Sequence, residues 1–476
     1  MQTKTRIVAT LGPASEKKDI LKQMIKNGMR IARLNFSHGS YIWHRKAIKN
    51  IRELAKELNV NIGILGDLQG PRIRVQIAED LKIERGEKIL VVDGSQKKTF
   101  QRFDRPFFFL DYPHIIKNIR KDSEILIEDG LISLKVLENR KEYLVTKVID
   151  GGIIRNHKGV NIPGVDLNID VITQKDKKDL DFILKEKLDF IALSFVSSSE
   201  DIQYLKQLIF KKTKKRENVP WIIAKIERQQ AITNLGEILD EADGVMVARG
   251  DLGIEMDENK LAVLQKRIIA ESLKRAKPVI VATQMLDSMI RNPRPTRAEV
   301  SDVSNAVIDH TDAVMLSGES ASGKYPVESV STMQKIIYST EKSIWDDEKV
   351  KPLSIKLQSE YSVLARSAYE LAESFSAKAI VVISLSGFTA RLISHFRPQQ
   401  KILVATNRRK TFHYFSLLWG VEAYLFKKKE KLDLLIDKTI KLALKEKLLK
   451  EGDKVVVLIG RNIKGKKMRL VGVKYI

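Results

Sequence analysis

Short apolar runs alternate with longer amphipathic segments along most of the chain. The runs that we interpret as strands are Ile7–Leu11, Ile31–Leu34, Ile62–Gly66, Phe190–Phe195, Trp221–Ile226, Gly244–Ala248, Val279–Ala282 and Ala313–Leu316. Segments between them, such as KKDILKQMIKNGM and ENKLAVLQKRIIAESLKRAKP, repeat their apolar residues with the period of an α-helix. Because strands alternate with helices, the pattern favours a parallel sheet, and eight such units predict a closed (β/α)8 TIM barrel.

The connection between the third and fourth predicted strands is much longer than the others. It contains the β-like runs RIRVQIA, KILVV, EILIEDGLISLKVL and EYLVTKVID, separated by Gly and Asp turns. A loop of this length inside a barrel is improbable unless it folds by itself. We therefore predict a small β-barrel domain over residues 71–163, inserted into a discontinuous catalytic barrel of residues 1–70 and 164–347.

A second α/β pattern occupies the last part of the chain. The strand-like runs AIVVIS, KILVAT, VEAYLF, KVVVLIG and RLVGVKY lie among helical segments such as EYSVLARSAYELAESF. We predict a separate C-terminal α/β domain over residues 348–476, with the last strand placing the C-terminus in a sheet.

Composition narrows the class of protein. The 476 residues include 84 Lys and Arg against 60 Asp and Glu, a net charge of +24. Nucleic-acid binding is one explanation, but the lysines are scattered over helix faces, so we predict no nucleic-acid partner. The absence of cysteine excludes disulfides and thiol nucleophiles. With no apolar run of membrane-spanning length and no signal-peptide pattern at the N-terminus, we expect a cytoplasmic protein without a membrane partner.

The stretch IIAKIE carries an unusual pair of charges at the end of a predicted core strand. Lys225 and Glu227 are two residues apart, so they point to the same side of the strand. In a (β/α)8 barrel, the carboxyl ends of the strands and the loops that follow build the active site. The polar residues at those positions are Arg33, Asn35, Ser37, His38, Asp67, Ser194, Lys225, Glu227, Arg249, Asp251, Thr283, Gln284, Ser317 and Glu319.

Charged groups at this end of a barrel predict a metal-assisted reaction. Glu227 and Asp251 can converge on one Mg²⁺, which proteins usually hold through one or two carboxylates plus substrate oxygens. Lys225 and Arg33 add fixed positive charge, and the combination suits phosphoryl transfer. Taken singly, Lys225 and Glu227 could be a structural ion pair, and Asp251 could cap the following helix. Their occurrence at successive strand ends favours the active site.

Several motifs, in order, resemble those of the pyruvate kinase family. They include TRIVATLGPAS, MRIARLNFSHG, GDLQGPRIRV, GVNIPG, LDFIALSFV, IIAKIE, DGVMVARGDLGIE, PVIVATQMLDSMIRNPRPTRAEVSDVSNAV and DAVMLSGESASGKYPVESV. The resemblance covers the barrel densely and the other two domains more loosely. It implies transfer of a phosphoryl group from phosphoenolpyruvate to ADP, giving pyruvate and ATP, in an enzyme that is usually a homotetramer.

The resemblance also implies roles for individual residues. Glu227 and Asp251 would bind Mg²⁺, which Mn²⁺ can replace. Lys225 would stabilise the phosphoryl group during transfer, and Arg33 would bind the phosphate. Gly250, Asp251 and Thr283 would hold the carboxylate end of the substrate, with Thr283 near the carbon that is protonated. The residues expected to meet the nucleotide are Asn35, His38, Arg74 and Lys158, and the inserted domain would close over the cleft.

Four positions depart from the family pattern. Many members need K⁺, held by groups that match Asn35, Ser37, Asp67 and Leu68, and usually have threonine at position 68 and glutamate at position 72. This chain has Leu68 and Arg72, and K⁺-independent members usually have lysine at position 72. We therefore predict that Arg72 replaces K⁺ and that no monovalent cation is required. The other departures are Ser197, where the family often has arginine, and His310, where glycine is more usual.

The run ISLSGFTARLIS places Ser384, Ser386, Gly387 and Thr389 in a predicted strand-to-helix turn. Such turns bind phosphate through backbone amides, and this one resembles the effector loop of the family, which predicts a sugar phosphate or nucleoside monophosphate as effector. A capped helix without a ligand is the alternative. Two other functions stay open: another Mg²⁺-dependent barrel enzyme acting on phosphoenolpyruvate or a related keto acid, and a basic regulatory or RNA-binding protein with a degraded active site.

Overall fold

The computed structural model describes residues 3–97, 105–165, 169–213, 219–346, 352–354, 357, 359–427, 430, 434–463 and 466–476. Eight parallel strands close into a barrel, as the sequence predicts. They are β1 (Arg6–Thr10), β2 (Met29–Asn35), β3 (Gly63–Asp67), β13 (Phe190–Leu193), β14 (Trp221–Ile226), β15 (Gly244–Ala248), β16 (Val279–Ala282) and β17 (Ala313–Leu316).

The strand order around this barrel is β1-β17-β16-β15-β14-β13-β3-β2, so neighbours in sequence are neighbours in space. The predicted strands are confirmed, with ends that differ by one or two residues. The fourth ends at Leu193 instead of Phe195, because Phe195 has φ of 56° and cannot continue an extended strand.

Helices surround the barrel strands and cover their outer faces. They are α1 (Lys18–Lys26), α2 (Tyr41–Glu57), α3 (Gln174–Lys185), α4 (Ser199–Lys212), α5 (Gln229–Thr233), α6 (Leu235–Glu241), α7 (Arg249–Glu255), α8 (Leu261–Lys274), α9 (Arg297–Ile308), α10 (Gly318–Ala321) and α11 (Pro326–Glu341). Their apolar stripes form one core with the strands; in α1, for example, the buried residues are Leu21, Met24 and Ile25. In the described residues, no helix is long and apolar enough to cross a membrane.

Between β3 and α3 the chain forms a second closed barrel, which we call the lid. Its strands are β4 (Ile73–Gln76), β6 (Lys88–Val92), β7 (Phe107–Leu110), β8 (Glu124–Ile127), β9 (Ile132–Asn139), β10 (Tyr143–Asp150) and β12 (Gly159–Asn161). A two-stranded sheet of β5 (Leu81–Ile83) and β11 (Gly152–Ile154) accompanies them. The lid has its own core, which includes Phe108, Leu134 and Leu144. The structure therefore agrees with the small inserted β-barrel that the fold prediction contains.

The C-terminal region contains a five-stranded sheet in the order β20-β19-β18-β21-β22. The strands are β18 (Ala379–Ile383), β19 (Lys401–Thr406), β20 (Val421–Leu425), β21 (Lys454–Ile463) and β22 (Lys466–Tyr475). The helices are α12 (Glu360–Ser374), α13 (Phe388–His395), α14 (Arg409–Tyr414) and α15 (Leu435–Lys445). The last strand lies in the sheet, as predicted. The predicted boundary at 347 and 348 lies outside the described residues.

The amino-terminal end of the catalytic barrel is closed by the C-terminal region. Phe190 and Trp221, at the starts of β13 and β14, pack against Tyr414 and Phe415 in the same buried cluster. The rings of Trp221 and Tyr414 stack with their centroids 4.5 Å apart. Since this end of the barrel is filled, the open end with the polar residues is the one that faces the lid.

Candidate active site

Asp67 lies between two cations at the open end of the catalytic barrel. Its Oδ2 accepts a hydrogen bond of 2.7 Å from Nε of Arg33, and its Oδ1 lies 3.5 Å from Nζ of Lys225. Nη1 of Arg33 donates to Thr10 at 2.9 Å, while Nη2 has no hydrogen-bond partner within the described ranges. Burial alone would raise the pKa of Asp67, but Lys225 and Arg33 outweigh it, so the pKa is lowered and Asp67 is ionised.

Lys225 is held by three groups at the end of β14. Its Nζ lies 2.8 Å from Oε1 of Glu227 and donates a 2.8 Å hydrogen bond to Oγ of Ser194, in addition to the contact with Asp67. Burial acts to lower the pKa of Lys225, but the carboxylates of Asp67 and Glu227 raise it by more. Lys225 is therefore a fixed ammonium group. Ser194 in turn donates to the carbonyl of Leu68 at 2.8 Å, which orients its hydroxyl.

Glu227 is a buried carboxylate with spare acceptor capacity. Its side chain is only 1% exposed, and Oε2 accepts a 2.7 Å hydrogen bond from the Phe195 amide. Oε1 has no hydrogen bond of acceptable geometry, although the ammonium of Lys225 is close. Burial raises the pKa of Glu227 and the nearby charge of Asp251 raises it further, while Lys225 opposes both. A buried carboxylate of this kind is stabilised when a further cation binds.

The donor set at Glu227 and Asp251 fits a magnesium ion. Both groups are carboxylates, Oε1 of Glu227 is buried with no hydrogen bond of good geometry among the described residues, and the charge of Asp251 acts on Glu227. No group of three or more His, Cys, Asp or Glu side chains placed to hold a metal occurs in the described residues. Two carboxylates, with substrate and water completing the shell, are what Mg²⁺ usually takes.

Gly250 and Thr283 meet beside these carboxylates. The Gly250 amide donates to Oγ1 of Thr283 at 2.8 Å, and that hydroxyl donates to the Ala282 carbonyl at 2.6 Å. Thr283 and Gln284 have φ of 70° and 54°, a conformation that is costly for a β-branched residue and is found where tertiary structure enforces it. The enforcing contacts come from Arg249, which donates to the Thr283 carbonyl at 2.6 Å.

Arg249 is itself fixed by a distant partner. Its Nη1 donates to both carboxylate oxygens of Asp302 on α9, at 2.8 and 2.6 Å, and the side chain is buried. The sequence analysis placed Arg249 at the barrel mouth but did not find Asp302, because 53 residues separate the two and no local pattern connects them. It likewise did not find that Asp67 joins Arg33 to Lys225.

A cavity of about 300 Å³ lies between the lid and the barrel. Arg72, Arg74 and Lys158 line it from the lid side. The residues that line it from the barrel side include Asp251, Phe195, Arg228 and Glu255. Arg74 donates to the His157 carbonyl at 3.1 Å, and Lys158 forms an ion pair with Glu128. Nη2 of Arg72 lies 4.0 Å from Oδ1 of Asp251. Arg72 and Asp251 also line a neighbouring cavity of about 750 Å³. The structure thus brings Arg72, Arg74 and Lys158 to the cleft that contains Asp251.

The positions predicted for a monovalent cation are only partly polar. Asn35 and Asp67 are direct neighbours in the sheet register, and Oδ1 of Asn35 accepts a 3.0 Å hydrogen bond from the Ser37 amide. The side chain of Leu68 is buried and apolar. No contact of Arg72 with Asn35, Ser37 or Asp67 is found among the described residues; its nearest charged partner is Asp251.

His38 lies apart from the buried charges. Its side chain belongs to an exposed loop after β2, and its carbonyl accepts a 3.0 Å hydrogen bond from the ring of His44. The structure therefore places His38 at the rim of the cleft and not with the quartet of Arg33, Asp67, Lys225 and Glu227.

The predicted effector loop is a strand-to-helix turn between β18 and α13. Gly387 has φ of 89° and precedes the helix, and Oγ of Ser386 accepts from the Phe388 amide at 3.4 Å. Oγ of Ser384 is buried without a hydrogen-bond partner. Thr389 lies in the first turn of α13.

The structure accounts for one of the two unexplained departures. His310 has φ of 64°, a left-handed conformation that glycine adopts most easily, and its carbonyl accepts a 2.7 Å hydrogen bond from Arg397. Ser197 lies just before α4, where its amide donates to Asp201 at 2.8 Å. Oγ of Ser197 also accepts a long hydrogen bond, 3.4 Å, from Nη1 of Arg228.

Comparison with known proteins places this chain in a family. A family model described as pyruvate kinase, barrel domain, matches residues 2–330, and one described as pyruvate kinase, alpha/beta domain, matches residues 362–469. The pyruvate kinase of Geobacillus stearothermophilus is 40% identical over 465 residues, which cover 97% of this chain and 78% of the relative. That of Staphylococcus aureus strain USA300 is 40% identical over 463 residues, covering 96% and 77%.

A solved structure is similar over nearly the whole chain. The crystal structure of a pyruvate kinase from Cryptosporidium parvum superposes with a TM-score of 0.90 at 35% sequence identity, covering 99% of this chain and 96% of the other. Two family models, full-length relatives and a shared three-part fold agree with the polar cluster described above. The chain therefore belongs to the pyruvate kinase family.

Proposed function

We propose that the quartet of Arg33, Asp67, Lys225 and Glu227, with Asp251, carries out the pyruvate kinase reaction, in which the phosphoryl group of phosphoenolpyruvate passes to ADP. The observation that carries this proposal is the position of Lys225, an ammonium group in contact with Asp67, Glu227 and Ser194. Phosphoryl transfer needs fixed positive charge where negative charge moves, and a buried ammonium supplies it without reorganisation.

Each residue has one task in this proposal. Arg33 binds the substrate phosphate through its free Nη2, because Asp67 and Thr10 already hold its other nitrogens. Lys225 stabilises the phosphoryl group in transit. Glu227 and Asp251 would hold Mg²⁺, or Mn²⁺ in its place, which would supply charge neutralisation of the phosphate oxygens. The described oxygens fit that ion, as the unsatisfied Oε1 of Glu227 indicates.

The other end of the substrate meets Gly250 and Thr283. We assign binding of the substrate carboxylate to the Gly250 amide, Asp251 and the Thr283 hydroxyl, to which the Gly250 amide donates a hydrogen bond. Thr283 Oγ1 is both an acceptor and a donor there, so it can position a water molecule that delivers the proton to the enolate carbon.

The nucleotide is assigned to the cleft under the lid. Arg74 and Lys158 on the lid, with Asn35 and His38 at the barrel rim, are the proposed contacts for ADP and ATP. Closing the lid would exclude water, which would otherwise compete with ADP as phosphoryl acceptor.

The test is a coupled assay of pyruvate formation with Lys225→Met. We expect turnover to fall by about 10³-fold or more while phosphoenolpyruvate binding stays measurable, because Arg33 and Asp251 remain. A matched control is Lys277→Met, since Lys277 is also largely buried but donates to the Ala242 carbonyl near the closed end of the barrel. Near-normal turnover in Lys225→Met would remove the assigned role.

We also propose that the enzyme needs no monovalent cation. Support comes from Leu68, whose side chain is apolar and buried where many family members have threonine, and from Arg72, whose Nη2 lies 4.0 Å from Oδ1 of Asp251. In buffer free of Na⁺ and K⁺, added K⁺ is expected to change kcat/KM by less than about twofold. The Arg72→Glu variant should become K⁺-activated. Strong activation of the unaltered enzyme by K⁺ would contradict the proposal.

Three further assignments follow from membership in the family. We propose a phosphorylated effector at Ser384, Ser386, Gly387 and Thr389, supported by the buried unsatisfied hydroxyl of Ser384. We also propose a homotetramer, and we propose a cytoplasmic location, which the absence of cysteine supports.

A further inference from the structure

Arg228 is a charged residue in the cleft to which no role has been given so far. It follows Glu227 directly and lies on the barrel wall of the 300 Å³ cavity under the lid. Its guanidinium carbon lies 5.4 Å from the centroid of the Phe195 ring, and Nη1 makes the 3.4 Å contact with Oγ of Ser197. A stacked guanidinium is restrained in direction and keeps most of its donors for other partners.

Arg228 makes no ion pair with the described residues. Glu255 is close enough for the two charges to influence one another, but no carboxylate oxygen in the described part of the chain lies within 4.0 Å of the guanidinium. By contrast, Arg33, Lys158 and Arg249 each have a carboxylate partner. A partly buried guanidinium without a carboxylate, next to a cavity, is arranged to receive an anion.

The opposite wall of the same cavity carries cationic side chains beside the carboxylates of Glu128 and Asp129. Arg74 and Lys158 line it from the lid, and Arg72 lies at the edge. Asp251, one of the two proposed metal carboxylates, lines it as well. An anion with several phosphate oxygens could therefore contact lid and barrel at once, beside the metal position.

We propose that Arg228 binds the phosphates of the nucleoside diphosphate from the barrel side, so that the nucleotide bridges Arg228 to Arg74 and Lys158 and draws the lid onto the barrel. This inference rests on the proposed function and adds a residue to its nucleotide site. The inference also explains the serine at position 197. The small side chain of Ser197 leaves room for the guanidinium of Arg228 and accepts a hydrogen bond from it.

The experiment compares Arg228→Gln, Arg228→Lys and the unaltered enzyme in the coupled assay, with ADP and phosphoenolpyruvate varied separately. For Arg228→Gln we expect KM for ADP to rise about 10-fold, since one charge-assisted phosphate contact is lost. KM for phosphoenolpyruvate should stay within about twofold. Arg228→Lys keeps the charge but not the planar fork, so its KM for ADP should rise by a smaller factor, about threefold.

A control variant separates this role from a structural one. Arg45→Gln removes another arginine that stacks on a phenylalanine, with 5.5 Å between its guanidinium carbon and the Phe182 centroid, but on the outside of the barrel. It should leave both KM values unchanged. The rise in melting temperature caused by ADP should shrink in Arg228→Gln and persist in Arg45→Gln, whereas a purely structural role would not change the response to ADP selectively.

Two results would overturn the inference. One is an unchanged KM for ADP in both Arg228 variants, and the other is an equal rise of both KM values. Either can be distinguished from failure of the proposed function, because in that case the unaltered enzyme itself would form no pyruvate from phosphoenolpyruvate and ADP.

Discussion

At the scale of single residues, Asp67 explains why two cations can lie close together inside the barrel. Arg33 and Lys225 both contact its carboxylate, and Glu227 adds a second negative charge beside Lys225. The four formal charges cancel, so the quartet is neutral before substrate arrives and the folded protein avoids the cost of an uncompensated buried charge. With Asp251 added, the net charge of these five residues is −1. A bound divalent cation would change that net charge to +1, which favours an anionic substrate.

Glu255 is a carboxyl group whose pKa is shifted by burial to near neutral pH. Burial raises the pKa of its carboxyl from 4.5 to about 7, while Arg228 and the Gly164 amide lower it by less. Because the folded state holds this proton more tightly than the unfolded state, the stabilisation is complete below about pH 4.5 and is lost as the pH rises to about 7.

The Glu255→Gln variant should lack that loss. Between pH 5 and pH 8, we expect the free energy of unfolding to fall more in the unaltered protein than in the variant. The difference between the two decreases should be up to about 3 kcal/mol. Urea unfolding at both pH values measures the difference. Glu299→Gln serves as control, because hydrogen bonds from Ser288 and Thr296 overcome burial and lower the pKa of Glu299. Equal pH dependence with and without Glu255 would contradict the prediction.

At the scale of secondary-structure elements, the turn after β13 joins several parts of the site. Phe195 has a positive φ, its amide donates to Glu227, and its ring supports Arg228. The sequence analysis extended the strand through Phe195 because the run LDFIALSFV is apolar. The left-handed residue could not be predicted, since its cause is a carboxylate on the next strand and not a local preference.

Gly70 and Gly164, at the two crossings between barrel and lid, differ in what surrounds them. Both have positive φ, +69° and +70°. A Cβ on Gly70 would lie 2.8 Å from Cδ2 of Phe195, whereas the nearest atom in the described part of the chain to a Cβ on Gly164 would be Oε1 of Gln229, at 3.5 Å. Alanine at either position has the cost of a left-handed residue, but only at Gly70 must a neighbour move as well.

Gly70→Ala should therefore be the more damaging substitution. We expect Gly164→Ala to cost about 1 kcal/mol of stability. Gly70→Ala should cost about 2–4 kcal/mol and also lower kcat, because the displaced Phe195 holds Glu227. Thermal unfolding and the coupled assay measure the two effects. If Gly70→Ala is no worse than its counterpart, the close approach to Phe195 has no energetic consequence.

Strand length explains in part which elements of the lid could be predicted, although β7, with four residues, was also missed. The runs of β6, β8, β9 and β10 are apolar over four to eight residues and were found from the sequence. β5, β11 and β12 have three residues each, too short for an alternating pattern to emerge. These short strands form because neighbouring strands provide hydrogen-bond partners for their backbones. Those partners come together only in the folded protein, so the local sequence does not predict the strands.

At the scale of the whole molecule, sequence patterns give the residues of the site but not their partners. The barrel topology brings successive strand ends together, so Arg33, Asp67, Lys225 and Glu227 could be assigned to one mouth. Which carboxylate pairs with which cation depends on distances of a few ångströms. The ion pair between Arg249 and Asp302 illustrates the limit, because Asp302 lies inside a helix with no pattern that marks it.

The net charge of +24 is not a property of the cleft. Residues 348–476 contain 27 Lys and Arg but 11 Asp and Glu, and the rest of the chain has 57 against 49. Most of the excess therefore belongs to the C-terminal region, on the far side of the barrel from the substrates.

Two connections join the barrel and the lid: Gly70 lies in the one between β3 and β4, and Gly164 lies in the one between β12 and α3. A domain that is joined to another by two connections cannot rotate freely in every direction. Its easiest rotation is about the axis that passes through both connections. Opening and closing of this enzyme should accordingly follow a single rotational coordinate, with the flexible backbone of the two glycines absorbing the turn.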